Sequence, residues 1–205
     1  MLICTSSIAQ TAPLGKELIK SFSERMSKNE TIEVDFTFTL DNRRENITDT
    51  HKGKLTLKGK MYYMQMMGME VYYDGDTRWQ FIPDVNEVTI SRPTSLEGGF
   101  MDNPTQLFAD YEKDFNSQFL GEKNIDGKAV YEVDLYPDDI SVEYSLIRLQ
   151  FEKQNLNPVS IRYQGKDGTN YIFDVNTFRS NRTIDNKLFT FDPTKHRDIE
   201  VVDLR

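Results

Sequence analysis

The residues able to do chemistry in this chain are few, and their spacing argues against most of it. Two histidines are present, His51 and His196. His51 sits beside Lys52 at a loop-to-strand junction and His196 in a proline-containing C-terminal loop. Neither has a partner at ligand spacing, so both read as solvated surface side chains. Asp74-Gly75-Asp76 begins like a calcium loop, but no acidic pattern continues it. Asp138-Asp139, following Pro137, reads as a turn. The sequence holds no H-E-x-x-H, no G-x-S-x-G and no phosphate-cradling glycine loop. Alternating Glu and Asp along strands form the wet face of a sheet and single out no carboxylate pair. The expectation is therefore no catalytic residue, no metal site and no cofactor. A binding or carrying role is the better default.

The chemistry that remains is apolar and soft. Five of the eight methionines fall within nine residues, in Met61-Tyr62-Tyr63-Met64-Gln65-Met66-Met67-Gly68-Met69. Methionine is unbranched and polarizable, so it fills irregular gaps and adapts to shapes not fixed in advance. A rigid core more often uses Val, Ile, Leu and Phe. A wall of Met and Tyr suits a cavity for a flexible apolar guest, although an ordinary core strand can also use Met.

The chain has 205 residues, enough to bury a substantial core without disulfide staples. Thirty-three Asp and Glu against 25 Lys and Arg leave a net charge of −8. That balance argues against nucleic acid and against anionic lipid surfaces, so any membrane contact is transient. The run Leu2-Ile3-Cys4-Thr5-Ser6-Ser7-Ile8-Ala9 ends in the small-x-small pattern of a secretory cleavage site. Residues 1–9 read as the remnant of a signal peptide and 10–205 as a single periplasmic domain. Cys4 is the only cysteine, so the mature chain would have no disulfide, thiolate nucleophile or Cys metal site. Ile3 precedes Cys4 where a lipid-anchoring motif carries a small residue, which favours a soluble protein.

The elements that must position these residues are well patterned. Pro13 to Lys28 carries Leu14, Leu18, Ile19, Phe22 and Met26 at helical spacing. Ile32, Val34, Phe36, Phe38 and Leu40 then alternate with Glu33, Asp35, Thr37 and Thr39, a strand with one greasy and one wet face. Further strands are expected at 54–57, 61–66, 69–73, 78–82, 87–90, 119–123, 130–135, 145–151, 159–163, 171–178 and 188–191. Asp74-Gly75, Asp126-Gly127 and Asp167-Gly168 mark tight turns between them. Leu96–Asp102 is a glycine-containing loop, and Asn103-Pro104 opens a second helix with Leu107, Phe108, Tyr111 and Phe115 on one stripe. No βαβ rhythm is present. The expected fold is mainly β (α+β): a single curved antiparallel sheet forming an incomplete β-barrel, with helices as a lid over its concave apolar face.

This order of elements resembles the LolA family of periplasmic outer-membrane lipoprotein carriers, in a Bacteroidetes-like form. The resemblance covers nearly the whole mature chain. It rests on Ile32-x-Val34-x-Phe36-x-Phe38, on Gly53-x-Leu55, and on Tyr73-Asp74-Gly75-x-x-x-Trp79-x-x-x-Pro83 with Val88 beyond. Asn103-Pro104, Phe189-Thr190-Phe191-Asp192-Pro193 and Ile199-Glu200-Val201-Val202-Asp203 complete it.

The resemblance implies an apolar cavity closed by a lid, no cofactor and no enzyme activity. It implies a monomeric shuttle that takes acylated lipoproteins from an inner-membrane ABC-type release complex to an outer-membrane acceptor. The cavity wall is expected from Ile32, Val34, Phe36, Phe38, Leu55, Leu57, Tyr62, Met64, Met66, Val71, Trp79 and Phe81. The lid is expected from Leu18, Phe22, Phe100, Met101, Leu107, Phe108 and Tyr111, with Gly98-Gly99 as hinge. Where the family's pattern has Lys-Arg-Pro with a lid-latching Arg, this chain has Lys58-Gly59-Lys60. Lys60 is the candidate replacement, a point charge in place of a fork. Carriage of another lipid or an aryl-polyene, or a lipid-sensing regulatory half-barrel, stands as the alternative.

Overall fold

The computed structural model describes residues 8–93, 103–108 and 111–205, with side chains from Leu14 onward. Cys4, the Gly98-Gly99 hinge and the lid candidates Phe100 and Met101 lie outside the described residues. Among the described residues, one α-helix, α1 (Ile8–Ser27), precedes twelve strands. These are β1 (Thr31–Asn42), β2 (Ile47–Lys58), β3 (Met61–Met66), β4 (Met69–Tyr73), β5 (Arg78–Ile82) and β6 (Glu87–Ser91). They continue with β7 (Phe115–Ile125), β8 (Lys128–Pro137), β9 (Tyr144–Glu152), β10 (Pro158–Gly165), β11 (Thr169–Ser180) and β12 (Glu200–Asp203). All join one sheet in the order β12-β6-β5-β4-β3-β2-β1-β11-β10-β9-β8-β7. The two ends of that order do not pair, so the sheet is not closed into a barrel. The last strand, β12, runs parallel to β6.

Two expected elements are different. The segment opened by Asn103-Pro104 is a short 3-10 turn, Pro104–Phe108, and Phe115 already belongs to β7. Asn103 Oδ1 accepts from the Thr105 amide and hydroxyl, which tightens the first turn. The β-type run Leu188–Phe191 is likewise no strand: Asn186–Phe189 forms a 3-10 turn, begun by Asp185, whose carboxylate accepts from the Lys187 amide at 3.0 Å. A capping carboxylate on one side and Pro193 on the other leave no room for a ladder strand.

The chain divides into two compact units. The first comprises residues 1–28, 38–50 and 109–175. Its core is the face shared by Val133, Leu135, Ile147, Leu149, Phe151, Ile161, Tyr163 and Phe173, which the β8–β9 and β9–β10 registers bring together. Helix α1 packs here, with Phe22 and Phe151 ring centroids 5.1 Å apart. Its buried stripe is Ile19, Phe22 and Met26, preceded one turn earlier by Gly15; Leu14 is 40% exposed and Leu18 only half-buried. The stripe is rotated from the expected one because the helix backbone comes close to β7 at Gly15. A Cβ there would lie 2.9 Å from the Phe119 amide nitrogen and 3.2 Å from the Ser117 carbonyl oxygen.

The other face of β8 and β9 is ionic. Arg148 donates twice to Asp134, at 2.7 and 2.8 Å, and Glu132 accepts from Lys123 and Gln150 at 2.8 and 2.6 Å. Glu132 and Asp134 are buried. Burial pushes the Glu132 carboxyl up, but the hydrogen bonds from Lys123 and Gln150 outweigh it and hold the group below its ordinary 4.5.

The second unit comprises residues 29–37, 51–108 and 176–205. It contains β3 to β6, most of β2, the first half of β1 and the C-terminal segment with β12.

The first unit can be tested at two residues. Gly15→Ala in an ordinary helix interior gains about 1 kcal/mol; here the Cβ meets backbone that cannot yield, so the substitution lowers stability by about 1–3 kcal/mol in urea denaturation. Glu132 has a depressed folded pKa, so its contribution is complete above about pH 4.5 and is lost as pH falls through the lowered value. Glu132→Gln is expected to flatten the acid limb of the stability–pH curve in that window, measured by urea denaturation at stepped pH.

Candidate functional site

The apolar wall is built in the second unit by register. The pairs Leu55–Met64 and Leu57–Tyr62 join β2 to β3, and Tyr62–Tyr73, Met64–Val71 and Met66–Met69 join β3 to β4. Paired residues share a face, and neighbours along a strand do not. One face therefore carries Leu55, Leu57, Tyr62, Met64, Met66, Met69, Val71 and Tyr73. Strand β1 adds Ile32, Val34 and Phe36 to it. The Phe36 ring covers Gly53, where an added Cβ would come within 2.3 Å of the ring. Gly53 lies two and four residues before Leu55 and Leu57, which places Phe36 on their side. All the wall residues named are buried except Met69, which is half-buried. Phe38 follows in the same alternation but belongs to the first unit, where it packs on Phe173 at 5.1 Å.

Two expected wall residues face the other way. Strand β5 pairs Tyr72 with Trp79, Glu70 with Phe81 and Val71 with Gln80. Trp79 and Phe81 thus share a face with Tyr72, opposite Val71 and Tyr73. There Phe81, Val88 and Phe191 form a separate buried cluster with Tyr72, Trp79 and Ile199 packed against it. The His196 ring lies 4.4 Å from Phe81 and stacks on Phe191 at 4.9 Å and 18°. His196 is therefore a half-buried packing element, not the solvated side chain its loop position suggests. On the same face Tyr63 and Tyr72 pack at 4.9 Å, and the Tyr72 hydroxyl donates to Glu70 at 2.5 Å. Burial, and then that carboxylate, raise the Tyr72 hydroxyl well above the ordinary tyrosine value.

The lid candidates are divided between the units. In the second, the turn Pro104–Phe108 lies against β3; Leu107 is buried and Phe108 packs edge-on to Phe178 at 6.3 Å. In the first, Phe22 is core and Tyr111 is buried, hydrogen-bonded to Tyr163. Lys60, the candidate latch, is exposed with no polar partner among the described residues. Lys58, two residues earlier, ties β2 to the C-terminal segment, donating to the Ile184 carbonyl at 2.9 Å and to Asn186 Oδ1 at 2.7 Å.

At one end of this unit a groove of about 460 Å³ runs along the β3–β4 turn, lined by Phe36, Gly53, Met66, Met67, Gly68 and Pro83 together with charged Asp35, Lys52, Lys54, Glu70 and Asp84. Met67 and Gly68 both have positive φ, 54° and 75°, and form the two-residue turn. Among the described residues no three His, Cys, Asp or Glu side chains gather to hold a metal, and no helix is long and apolar enough to cross a membrane.

A family model described as "Uncharacterized protein" matches residues 58–192. An "Outer-membrane lipoprotein carrier protein" of Pseudomonas putida (strain GB-1) is 26% identical over 202 residues, covering 92% of this chain and 90% of that protein. The chain belongs to a LolA-like family. Among solved structures, an uncharacterized conserved protein from Thermus thermophilus has a TM-score of 0.57 at 11% identity, covering 91% of this chain and 98% of its own. The Mycobacterium tuberculosis lipoprotein LppX has a TM-score of 0.54 at 12% identity, covering 84% and 99%. At such identities these two structures speak for the fold. The LolA-like chain here keeps that fold with a methionine-rich β3–β4 hairpin.

The chain's single tryptophan, Trp79, reports on the C-terminal segment and not on the methionine wall. Phe191→Ala is expected to cost about 3–5 kcal/mol and to shift Trp79 fluorescence to the red in the still-folded protein. An unmoved spectrum would contradict the assignment of Trp79 to this cluster.

Proposed function

We propose that this protein is a carrier that binds lipoprotein acyl chains on the second unit's Met- and Tyr-lined face and acts by binding, without a catalytic step. The observation that carries this reading is the convergence of Phe36, Leu55, Leu57, Tyr62, Met64, Met66 and Val71 on one side of the β1–β4 strands. The carrier name of the Pseudomonas putida relative agrees with it.

Burying hydrocarbon is worth about 0.8 kcal/mol per CH₂, so one long acyl chain gains on the order of 10 kcal/mol. A carrier that captured all of it would not release its cargo. Thioethers hold loosely because they fit many shapes and none tightly. In the empty protein the wall has to be covered, and Leu107 and Phe108 are the residues assigned to that cover. In full, the proposal is a periplasmic, monomeric shuttle, a single domain over residues 10–205 after a leader at 1–9. It loads at an inner-membrane ABC-type release complex and delivers to an outer-membrane acceptor.

The test is native mass spectrometry of the chain with a triacylated lipopeptide and, separately, its deacylated form. A 1:1 adduct with the acylated form alone is expected, weakened at least tenfold by Phe108→Glu. No adduct with either peptide, or equal adducts with both, would overturn acyl-chain carriage.

A further inference from the structure

The β3–β4 turn gathers sulfur in a way that lining an apolar wall does not require. Met66 and Met69 are cross-strand partners flanking the two-residue turn, so their Cα atoms are roughly 5.5 Å apart. Met67 occupies the turn itself and is 41% exposed. Met66 and Met67 line one groove; Met67 offers its side chain to solvent, while Met66 is only 2% exposed. Met69 Sδ accepts from Gln80 Nε2 at 3.5 Å, which shows its lone pairs turned toward a polar donor and not sealed in hydrocarbon. Three neutral, soft donors thus stand at one hairpin tip, each on a side chain with three rotatable bonds.

We infer that this hairpin tip is a binding site for a soft monovalent cation, Cu(I) or its analogue Ag(I), held by the thioethers of Met66, Met67 and Met69. Thioether ligands select Cu(I) over zinc, calcium and magnesium, which take imidazole, thiolate or oxygen. The groove's surroundings favour a cation: Asp35, Glu70 and Asp84 outnumber Lys52 and Lys54. Neutral ligands leave the bound ion its single positive charge, which this partly open, net acidic groove accommodates better than a sealed core does. A cation here does not depend on acyl-chain carriage, and the site stands or falls apart from that reading.

The experiment is titration of the full chain with Ag(I) by calorimetry, and with ascorbate-reduced Cu(I) in competition with bicinchoninate. One ion per chain is expected, with Zn(II) binding at least a hundredfold more weakly. Met66→Leu and Met69→Leu keep side-chain volume while deleting sulfur, and each is expected to weaken binding at least tenfold. The triple variant Met66→Leu, Met67→Leu, Met69→Leu, checked for an unchanged circular dichroism spectrum, is expected to lose the site. Met61→Leu serves as control, because Met61 pairs with Lys58 and lies on the opposite face. Absence of a 1:1 complex, full binding by the triple variant, or an equal loss in Met61→Leu would each overturn the assignment.

Discussion

The period-two alternation of a paired strand is the constraint on which this molecule depends. Across β2, β3 and β4 every pairing matches an even-numbered position with an odd one: Leu55 with Met64, Met64 with Val71, Met66 with Met69. The turn Met67-Gly68 fixes that parity, because a two-residue hairpin with both residues at positive φ admits one register. A slip by one residue would turn Tyr62, Met64 and Met66 outward and bring Met61, Tyr63 and Gln65 in. The apolar wall is thus specified at least as much by the turn as by the residues that compose it.

The same parity explains why the second unit has two apolar faces with different character. Four residues, Asp74 to Thr77, separate β4 from β5, and Tyr73 pairs with Arg78. The β5 residues in line with Val71 and Tyr73 are therefore Arg78 and Gln80, and the large aromatics go to the other side. That side is sealed by the chain's own C-terminal segment, in which Phe191 and His196 pack at a tilt against Phe81. Its rings interlock at centroid distances near 5 Å, a geometry that is worth energy only when fixed. The methionine side holds one such pair, Tyr62 and Tyr73 at 5.2 Å, and is otherwise aliphatic and thioether. The first is locked by interlocking rings; the second is packed largely by unbranched, adaptable side chains.

Much of this is legible in the sequence, and the failures share a cause. The alternation from Ile32 to Phe38 and the Asp-Gly turns place most strands, because period and punctuation are local properties. Alternation within β5 sets Trp79 and Phe81 on one apolar face, but it says nothing about the phase of that face relative to β4. The phase depends on the count of residues that the Asp74–Thr77 turn leaves unpaired. The stripe of α1 fails similarly. Leu14 and Leu18 fit the helical period as well as Gly15 does, and only the close approach of the β7 backbone selects the glycine side. The run Leu107, Phe108, Tyr111 and Phe115 fits a helix too, yet Phe115 is claimed by pairing with Pro137 in β8. Long-range pairing overrides local pattern in each case.

A Met-rich wall beside a rigid aromatic cluster also bears on how a carrier can let go. Affinity for a flexible chain is the apolar transfer gain less the cost of ordering the chain and the wall around it. A wall of branched side chains is pre-ordered and keeps most of that gain. Methionine, with more rotamer freedom to lose, gives part of it back as entropy when the guest arrives. On the carrier reading proposed above, Met64 and Met66 cover the same area at lower affinity. The stability this sacrifices is supplied on the reverse face by Phe81, Val88 and Phe191. On that reading, rigidity and adaptability placed back to back on the same strands let the sheet stay folded while its other side changes occupant.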